Sequence, residues 1–531
     1  MAMSVLTLAL AVVAGSILYQ YIITPAFLSP LSRIPAGHWS AHISTLWLLW
    51  LRWAGQENQT VFELHQKYGK AVRLAPSTLS LNCYEGGLKQ IYLGGFPKSD
   101  FYFNRFAHNG QSHNIFTLQD NAAHSVRRRI LSHTFSKSYV AKSPTARATI
   151  CEILFRRLLP IIDHYASQGK PVEMLEINYS YAMDTFVHWQ FGRSAGSDLV
   201  RNEQERRGVL DVFLGIAPYN FWLNELPQFC RGISKLRVHL IPTSLFAGFR
   251  RIDQWNSQRC DKAQRIITTR CSLRQQVMKE DHEDYPVVFA QAYKSMASSD
   301  PQRQTGSEKQ GYHTRTELAA DMLMLDGAAF ETTGATLTYT LFELSRNSEV
   351  QEKLRQELRT LHPILSYTEK GTATDLPLAI DVDALPYLDS VLMETLRLYP
   401  SVPGRQPRVV PKSCSLGGYD SIPAGTTVHC SAYSLHRTPE VFPEPLAWRP
   451  GRWLEASPEQ LREMRRWFWA FGSGGRMCIG INFAIYSMKY LIGVIYSNYR
   501  TTIYDHGDME QQDGYIAGLK GQRLELIFER C

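Results

Sequence analysis

The sequence lacks the patterns that mark small metal modules and secreted disulfide frameworks. Its nine cysteines are an odd number, and it has neither a CxxC pair nor a short ladder of Cys and His. We therefore expect neither a zinc module nor a disulfide framework, and the thiols fit a reducing compartment. Dense basic runs with interleaved aromatic residues are missing, which argues against nucleic-acid binding. The sequence also has no P-loop and no strand-bracketed GxGxxG, so it predicts no nucleotide-binding domain of its own.

What is present is typical of a globular enzyme. Of 531 residues, 44% are hydrophobic and 20% charged, and the net charge of +8 favours anionic membrane or acidic protein surfaces. Helical patterns dominate residues 140–280 and 314–400, whereas the polar segment 281–313 predicts a surface loop. Alternating stretches predict strands at "AVRLA" (71–75), "TTVHCSAY" (426–433) and "LELIFE" (524–529). The fold class is therefore mainly α with small β-sheets, an α+β protein.

The N-terminus carries a long uncharged stretch, Ser4 to Ile23. A helix of about 20 such residues spans the bilayer core. A cleaved signal peptide is the alternative, but its basic n-region is missing. We expect residues 1–32 to form a membrane anchor and hinge and residues 33–531 to form one domain. The Lys and Arg that follow the anchor place that domain on the cytoplasmic side. The apolar segment 43–53 either touches the membrane interface or belongs to the core.

The decapeptide "FGSGGRMCIG", residues 471–480, combines one thiol with four glycines and one arginine. A single thiolate without Cys or His neighbours does not complete a tetrahedral zinc site. It suffices as the axial ligand of haem iron, because the porphyrin supplies the equatorial donors. The apolar run that follows, 481–499, predicts a buried helix whose N-terminal dipole stabilises the thiolate. The alternative is a glycine turn around an inert cysteine.

This decapeptide resembles the haem-binding signature of the cytochrome P450 family, F-x-x-G-x-R-x-C-x-G, without departure. The resemblance implies that Cys478 is the metal ligand and that Arg476 approaches a haem propionate. It also implies that Phe471 shields the sulfur and that Gly480 belongs to the cofactor site. It covers nearly the whole chain and implies the P450 fold with an N-terminal transmembrane helix.

The segment "GAAFETTGATL", residues 327–337, resembles the family's distal helix. Buried acid and hydroxyl groups in an apolar helix need a reason, because each loses its water. The resemblance implies that Thr332 hydrogen-bonds iron-bound dioxygen and that Glu331 relays protons through water. The alternative is a kink stabilised by threonine bonding to the preceding turn. Ala329 stands where the family has glycine, which puts the family's helix distortion in doubt.

The family's remaining motifs appear in order. "ETLR" and "WRPGRW" supply Glu394, Arg397 and Arg452. The resemblance implies that these three form a Glu-Arg-Arg cluster that holds the core around the haem and takes no part in the chemistry.

Two haem propionates need cations. In "DNAAHSVRRRILSHTFS", residues 120–136, His124 and Arg128 share a helical face and can reach one propionate together. We expect their neighbours Arg127 and Arg129 to face solvent. The resemblance implies that Arg408 also binds a propionate, with Arg405 as the rival candidate.

The implied function is that of a monooxygenase. It inserts one atom of dioxygen into a lipophilic small molecule such as a terpenoid, polyketide or alkaloid of secondary metabolism. Electrons come from NADPH–cytochrome P450 reductase, with cytochrome b5 as an additional partner, at the endoplasmic reticulum membrane. The alternative is a haem-thiolate protein that inserts no oxygen, either an isomerase or a ligand-binding sensor. We expect the substrate pocket to draw on 96–118, 208–245, 401–406, 514–518 and the distal helix near Phe330.

Overall fold

The computed structural model describes residues 2–107, 112–269, 282–297, 314–367 and 376–531. Most of them are helical. The α-helices are, in chain order, α1 (Ala2–Leu18), α2 (Leu46–Trp53), α3 (Glu57–Tyr68), α4 (Phe101–Phe106), α5 (Asn121–Ser132), α6 (Lys137–Lys142), α7 (Pro144–Ile150), α8 (Leu159–Ser167), α9 (Met174–Phe191), α10 (Glu203–Leu214), α11 (Asn220–Glu225), α12 (Pro227–Ser234), α13 (Thr243–Thr269), α14 (Val287–Ala297), α15 (Arg315–Arg346), α16 (Ser348–Leu358), α17 (Ala379–Asp383), α18 (Pro386–Leu398), α19 (Ala432–Leu435), α20 (Arg452–Glu455), α21 (Pro458–Trp467) and α22 (Ile481–Asn498).

The strands form small sheets at the side of this helical body. They are β1 (Ala71–Ala75), β2 (Thr78–Leu81), β3 (Val172–Glu173), β4 (Arg408–Val409), β5 (Cys414–Leu416), β6 (Tyr419–Ile422), β7 (Thr427–His429), β8 (Tyr499–His506) and β9 (Leu524–Arg530). One sheet has the order β1-β2-β7-β4, with β2 and β7 parallel and the other neighbours antiparallel. A second sheet has the order β3-β9-β8, and β5 and β6 form a hairpin.

The core is organised around the long helix α15, which packs along α9 and also contacts α18 and α22. The two helices α9 and α15 approach closely at Gly334, where an added Cβ would lie 2.3 Å from Cδ1 of Tyr179. Any larger side chain at this point would push the helices apart. The close packing fixes the position of the α15 face that carries Glu331 and Thr332.

The structure confirms the predicted fold class, with strands at 71–75 and 524–529. The strand predicted at 426–433 is confirmed only in part, and the loop predicted at 281–313 is wrong for part of its length. Only Thr427–His429 of the segment 426–433 is a strand, because the Ser431 hydroxyl accepts a hydrogen bond from the Ser434 amide and starts α19. Part of the predicted loop 281–313 is α14, which buries Val287, Val288 and Phe289. Residues 298–313 lie outside the described ranges.

At the N-terminus, Val5–Leu28 is a stretch of 24 residues with mean hydropathy 1.9. No residue of the apolar 18-residue window within this stretch is buried in the protein. Length and composition allow it to cross a membrane. In α2, Leu48 and Leu51 are buried while Leu46, Trp50 and Trp53 are exposed. One face of this helix therefore belongs to the core and the other remains outside it.

A buried ion cluster joins α18 to the segment before α20. Both Glu394 and Arg397 are fully buried, and the carboxylate accepts hydrogen bonds from Arg397 at 2.8 and 2.9 Å and from Arg452 Nε at 3.0 Å. The indole N–H of Trp453 donates to the same carboxylate at 3.0 Å. The two guanidinium groups also donate to carbonyls between 436 and 447, so all three charges are hydrogen-bonded.

We predict that Glu394→Gln lowers the free energy of unfolding by about 3–5 kcal/mol, because both arginines lose a buried anionic partner. Urea denaturation followed by tryptophan fluorescence measures this change. The control is Glu459→Gln, since Glu459 is exposed and its carboxylate lies 3.1 Å from Arg462. We expect a loss of about 0–1 kcal/mol for the control. Equal losses in the two variants would contradict the role of the cluster.

Candidate active site

A cavity of about 1440 Å³ lies between the distal helix α15 and the glycine-rich loop 471–480. Segments of α4, α10, α11, α12 and α13 complete its wall. Eight of the nine predicted site residues line it: His124, Arg128, Glu331, Thr332, Phe471, Arg476, Cys478 and Gly480. The ninth, Arg408, is buried behind the wall. Residues scattered over the sequence are thus brought to one chamber.

The loop geometry places Cys478 directly before α22. Gly474 has φ of +70°, and an added Cβ there would lie 2.2 Å from the carbonyl oxygen of Tyr92, so only glycine fits. The amide of Cys478 donates to the carbonyl of Phe471 at 2.9 Å, which closes the loop. The Cys478 side chain is accessible only to the cavity, since the group lies deep in the protein.

Two opposing effects act on the Cys478 sulfur. Burial raises the pKa of the Cys478 thiol, while hydrogen bonds from the Gly480 and Ile481 amides and the charge of Arg128 act against that rise. The Arg128 guanidinium donates to the carbonyl of Met477 at 2.6 Å, beside the cysteine. Among the described residues, no group of three or more His, Cys, Asp or Glu is placed to hold a metal ion. The lone sulfur therefore fits a metal whose other donors come from a macrocycle.

The distal wall carries the hydroxyl and carboxyl groups. The Thr332 hydroxyl donates to the carbonyl of Ala328 at 2.8 Å, and the Ser401 hydroxyl donates to the carbonyl of Thr332 at 2.8 Å. Burial raises the pKa of Glu331, and the charge of Arg105 opposes that rise. The helix α15 is continuous through Ala329, so threonine bonding to the preceding turn coexists with a regular helix.

Cations gather at one edge of the cavity. His124 and Lys98 are buried together with Arg408, and Arg476 lies beside them. Burial, followed by the charges of Arg476, Lys98, Arg128 and Arg408, lowers the pKa of His124 to about 3. Burial, Arg408 and Arg476 likewise hold the pKa of Lys98 well below its usual range. Basic side chains crowded and buried in this way, with arginines among them, call for a strongly anionic partner. The two propionates of haem meet that need.

Lys98 also belongs to this edge, although it was not predicted from the sequence. Its ammonium group donates to the carbonyl of Phe116 at 2.5 Å and lies 3.8 Å from the centre of the Phe116 ring. The signal in the sequence is weak, because a lysine in the aromatic stretch "FPKSDFYF" is usually solvated. Its burial depends on the docking of β4, which lies far away in sequence.

The structure separates the two rival arginines. Arg408 donates to the hydroxyl of Tyr102 at 2.7 Å and sits beside Lys98. Arg405 forms ion pairs with Glu57 and Glu225, so both of its nearest anions come from the protein. This arrangement favours Arg408 over Arg405 as the arginine at the cationic edge.

Two further residues have clear partners. Arg476 donates to the carbonyls of Leu118 at 2.7 Å and Gln119 at 2.9 Å, which ties the cysteine loop to the start of α5. The interpretation of Arg127 as solvent-facing is wrong. It is buried and lies 3.0 Å from Glu317 and 3.7 Å from Asp321 on the distal helix. Arg129 is exposed as expected.

Comparisons with known proteins agree with this geometry. Residues 39–526 match the family described as Cytochrome P450. The chain is 27% identical to the cytochrome P450 monooxygenase FGM1 of Gibberella zeae, over 89% of this chain and 88% of the relative. It is 28% identical to the cytochrome P450 monooxygenase orf2 of Aspergillus niger, over 93% of each chain. The match spans the cysteine loop, the distal helix and the cationic edge, and the chain therefore belongs to the cytochrome P450 family of haem-thiolate monooxygenases.

Proposed function

We propose that this enzyme inserts one atom of dioxygen into a lipophilic small molecule of fungal secondary metabolism, such as a terpenoid, polyketide or alkaloid intermediate. One observation carries the proposal: Cys478 of the glycine-rich loop and an acid–hydroxyl pair on α15 line the same cavity. The fungal relatives support the assignment to secondary metabolism.

Haem, when bound, supplies the activation of dioxygen with electrons delivered from outside the chain. We assign Cys478 as its axial ligand and Phe471 as the ring that shields the sulfur. His124, Arg128, Arg408 and Arg476 hold the propionates. Gly480 borders the sulfur, since an added Cβ would lie in ordinary contact, 4.0 Å from Sγ of Cys478. The protein would thus hold the cofactor by the Cys478 sulfur and by charges at the edge of the cavity.

Proton delivery falls to the distal helix. Glu331 relays protons through water into the cavity, where the Thr332 hydroxyl accepts hydrogen bonds from the water that carries them. The raised pKa of Glu331, which burial causes, suits this role, because a carboxylate with a raised pKa accepts a proton more readily than an ordinary one. The hydrogen bond from Thr332 to Ala328 leaves the oxygen lone pairs of the hydroxyl free to accept.

The part of the cavity beside α4, α10 and α15 suits an apolar substrate. Aromatic side chains from α4, α10 and α15 line it, and they include Phe101, Phe106, Phe213 and Phe330. The segments expected from sequence contribute through 101–107, 213–241, 401–406 and 512–516, while residues 108–111 lie outside the described ranges. Such walls bind apolar frameworks by excluding water.

The apolar N-terminal helix and the P450 family support a proposal for partners and location. We propose that residues 1–32 anchor the chain in the endoplasmic reticulum membrane by a single pass, with residues 33–531 as the catalytic domain on the cytoplasmic side. Electrons then come from NADPH–cytochrome P450 reductase, and cytochrome b5 is an additional donor.

A haem-thiolate protein without oxygen insertion is the competing function. An isomerase or a sensor needs neither NADPH nor a proton relay, whereas Glu331 and Thr332 at the cavity favour the monooxygenase. Incubation of candidate lipophilic compounds with membranes that contain the enzyme and the reductase distinguishes the two. Conversion that proceeds without NADPH and oxygen would refute oxygen insertion.

We predict that Cys478→Ala abolishes the red-shifted Soret band of the reduced carbon monoxide complex, because that band requires axial thiolate. The control is Cys414→Ala, on the β5–β6 hairpin away from the cavity, which retains the band. An unchanged spectrum for Cys478→Ala would refute the ligand assignment.

We predict that Thr332→Ala diverts electrons from product to hydrogen peroxide, because the hydroxyl that holds the proton-carrying water at the cavity is lost. Peroxide formed per NADPH consumed, in the reconstituted system, measures the change. Thr340→Ala is the matched control. The Thr340 hydroxyl also donates one turn back on α15, at 2.8 Å to Thr336, but this residue does not line the cavity. Equal peroxide yields for the two variants would remove the role given to Thr332.

We predict that deletion of residues 2–28 makes the protein extractable from membranes by alkaline carbonate, whereas the full chain resists extraction. The apolar helix provides the anchoring free energy. The truncated protein should keep the red-shifted Soret band, since the described cavity contains no residue of this segment. Resistance of the truncated protein to carbonate would contradict the anchor.

A further inference from the structure

Arg105, at the end of α4, lines the cavity without a hydrogen-bond partner. Its Nε atom is buried and unpaired. Within the described ranges, no atom of its guanidinium group forms a hydrogen bond or an ion pair. Burying an N–H donor of a guanidinium group without a partner is costly, and the group's other donors are open to the cavity. The protein therefore holds a set of donors whose partner must come from the contents of the cavity.

Four other arginines on the cavity wall, in contrast to Arg105, have hydrogen-bond or ion-pair partners within the protein. Arg405 and Arg52 both pair with Glu57 and Glu225, with Arg52 at 3.2 and 2.7 Å from them. Arg128 and Arg476 donate to backbone carbonyls. All four are satisfied by the protein, and Arg105 is not.

The position of Arg105 separates it from the cationic edge of the cofactor. The charges that act on it most are those of Glu331, Tyr515, Arg405 and Glu225, and none of these belongs to the edge. The guanidinium carbon lies 5.1 Å from the centre of the Phe106 ring and 5.5 Å from that of Tyr515. Arg105 therefore faces the aromatic part of the cavity, beside the proton-delivering residue of the distal helix.

The charge balance around Arg105 selects the kind of partner. Burial lowers the pKa of Arg105 to about 10, so the group stays cationic at neutral pH, and Glu331 is the acid whose charge acts on it most. Glu57 and Glu225 are already balanced by two arginines. An additional carboxylate from a ligand would leave one buried negative charge uncompensated, which is costly. A neutral oxygen acceptor satisfies the donors without that cost.

We propose that Arg105 is a substrate-recognition residue that donates hydrogen bonds to a carbonyl oxygen, so the substrate is an aromatic or polycyclic ketone, quinone or lactone. This inference rests on the proposed function and makes it more specific. Carbonyl binding at Arg105 fixes the substrate's orientation next to Glu331 and Thr332, with its apolar framework against the aromatic wall.

Equilibrium dialysis of purified holoprotein tests the inference. The probes are two sets that share a framework: fluorenone, fluorene and fluorene carboxylate, and xanthone, xanthene and xanthene carboxylate. We expect each ketone to bind the unmodified enzyme at least about tenfold more tightly than its hydrocarbon or ether counterpart, the effect of one hydrogen bond to a charged donor. In Arg105→Leu this preference disappears.

Arg250→Leu is the matched control, because Arg250 lines the cavity from α13 but is exposed, and it should keep the preference for ketones. Arg105→Gln retains an amide donor and should keep part of the preference for ketones. Equal binding of ketone and counterpart by the unmodified enzyme, including no binding of either, overturns the inference. Tighter binding of the carboxylates overturns it in favour of an acidic substrate.

Haem content and the carbon monoxide spectrum are recorded for every variant. Loss of haem in Arg105→Leu would mean that Arg105 holds a propionate, which also overturns the inference. An abnormal spectrum in the unmodified enzyme would instead refute the proposed function, so the two failures are distinguishable.

Discussion

The structure depends on one sulfur atom held at a fixed place. Cys478 ends a loop that only glycine at position 474 allows, and the first amides of α22 point at the sulfur. Hydrogen bonds from Arg476 connect the same loop to the start of α5. The sulfur and the cationic edge are therefore held in a fixed relative position. Close packing of α9 and α15 at Gly334 then sets the opposite wall. The chemistry requires the sulfur, the cationic edge and the α15 wall to keep fixed relative positions. An acid and a hydroxyl are useful only at a fixed distance from the reacting centre.

Charge is divided between three parts of the cavity. Lys98, His124, Arg408 and Arg476 form an edge of basic side chains that suits the propionates, and there burial and the neighbouring charges lower the pKa values of Lys98 and His124. Arg52, Arg405, Glu57 and Glu225 form a balanced network that joins α2 and α3 to α11. Arg105 and Glu331 lie in the third part, the substrate region beside α15, and form no direct ion pair with each other. This division lets the cofactor be bound by charge while the substrate region stays close to neutral, as a lipophilic substrate requires.

Local patterns allowed much of this to be predicted. The cysteine loop is one short segment in which glycine, arginine and cysteine have fixed spacing, and the acid–hydroxyl pair lies on a single helix. The strands at 71–75 and 524–529 follow from alternation. Long-range packing accounts for what was missed. Lys98 is buried only when β4 docks beside it, and Arg127 turns inward only because Glu317 and Asp321 on α15 face it. Whether Arg105 finds a partner is likewise decided by the arrangement of distant segments.

The most direct test of the central claim is X-ray absorption at the iron edge of the purified ferric enzyme, because it detects the ligand atom itself. The account predicts one sulfur neighbour in addition to the porphyrin nitrogens, and its loss in Cys478→Ala. A first coordination shell of nitrogen and oxygen alone in the unmodified enzyme would contradict it.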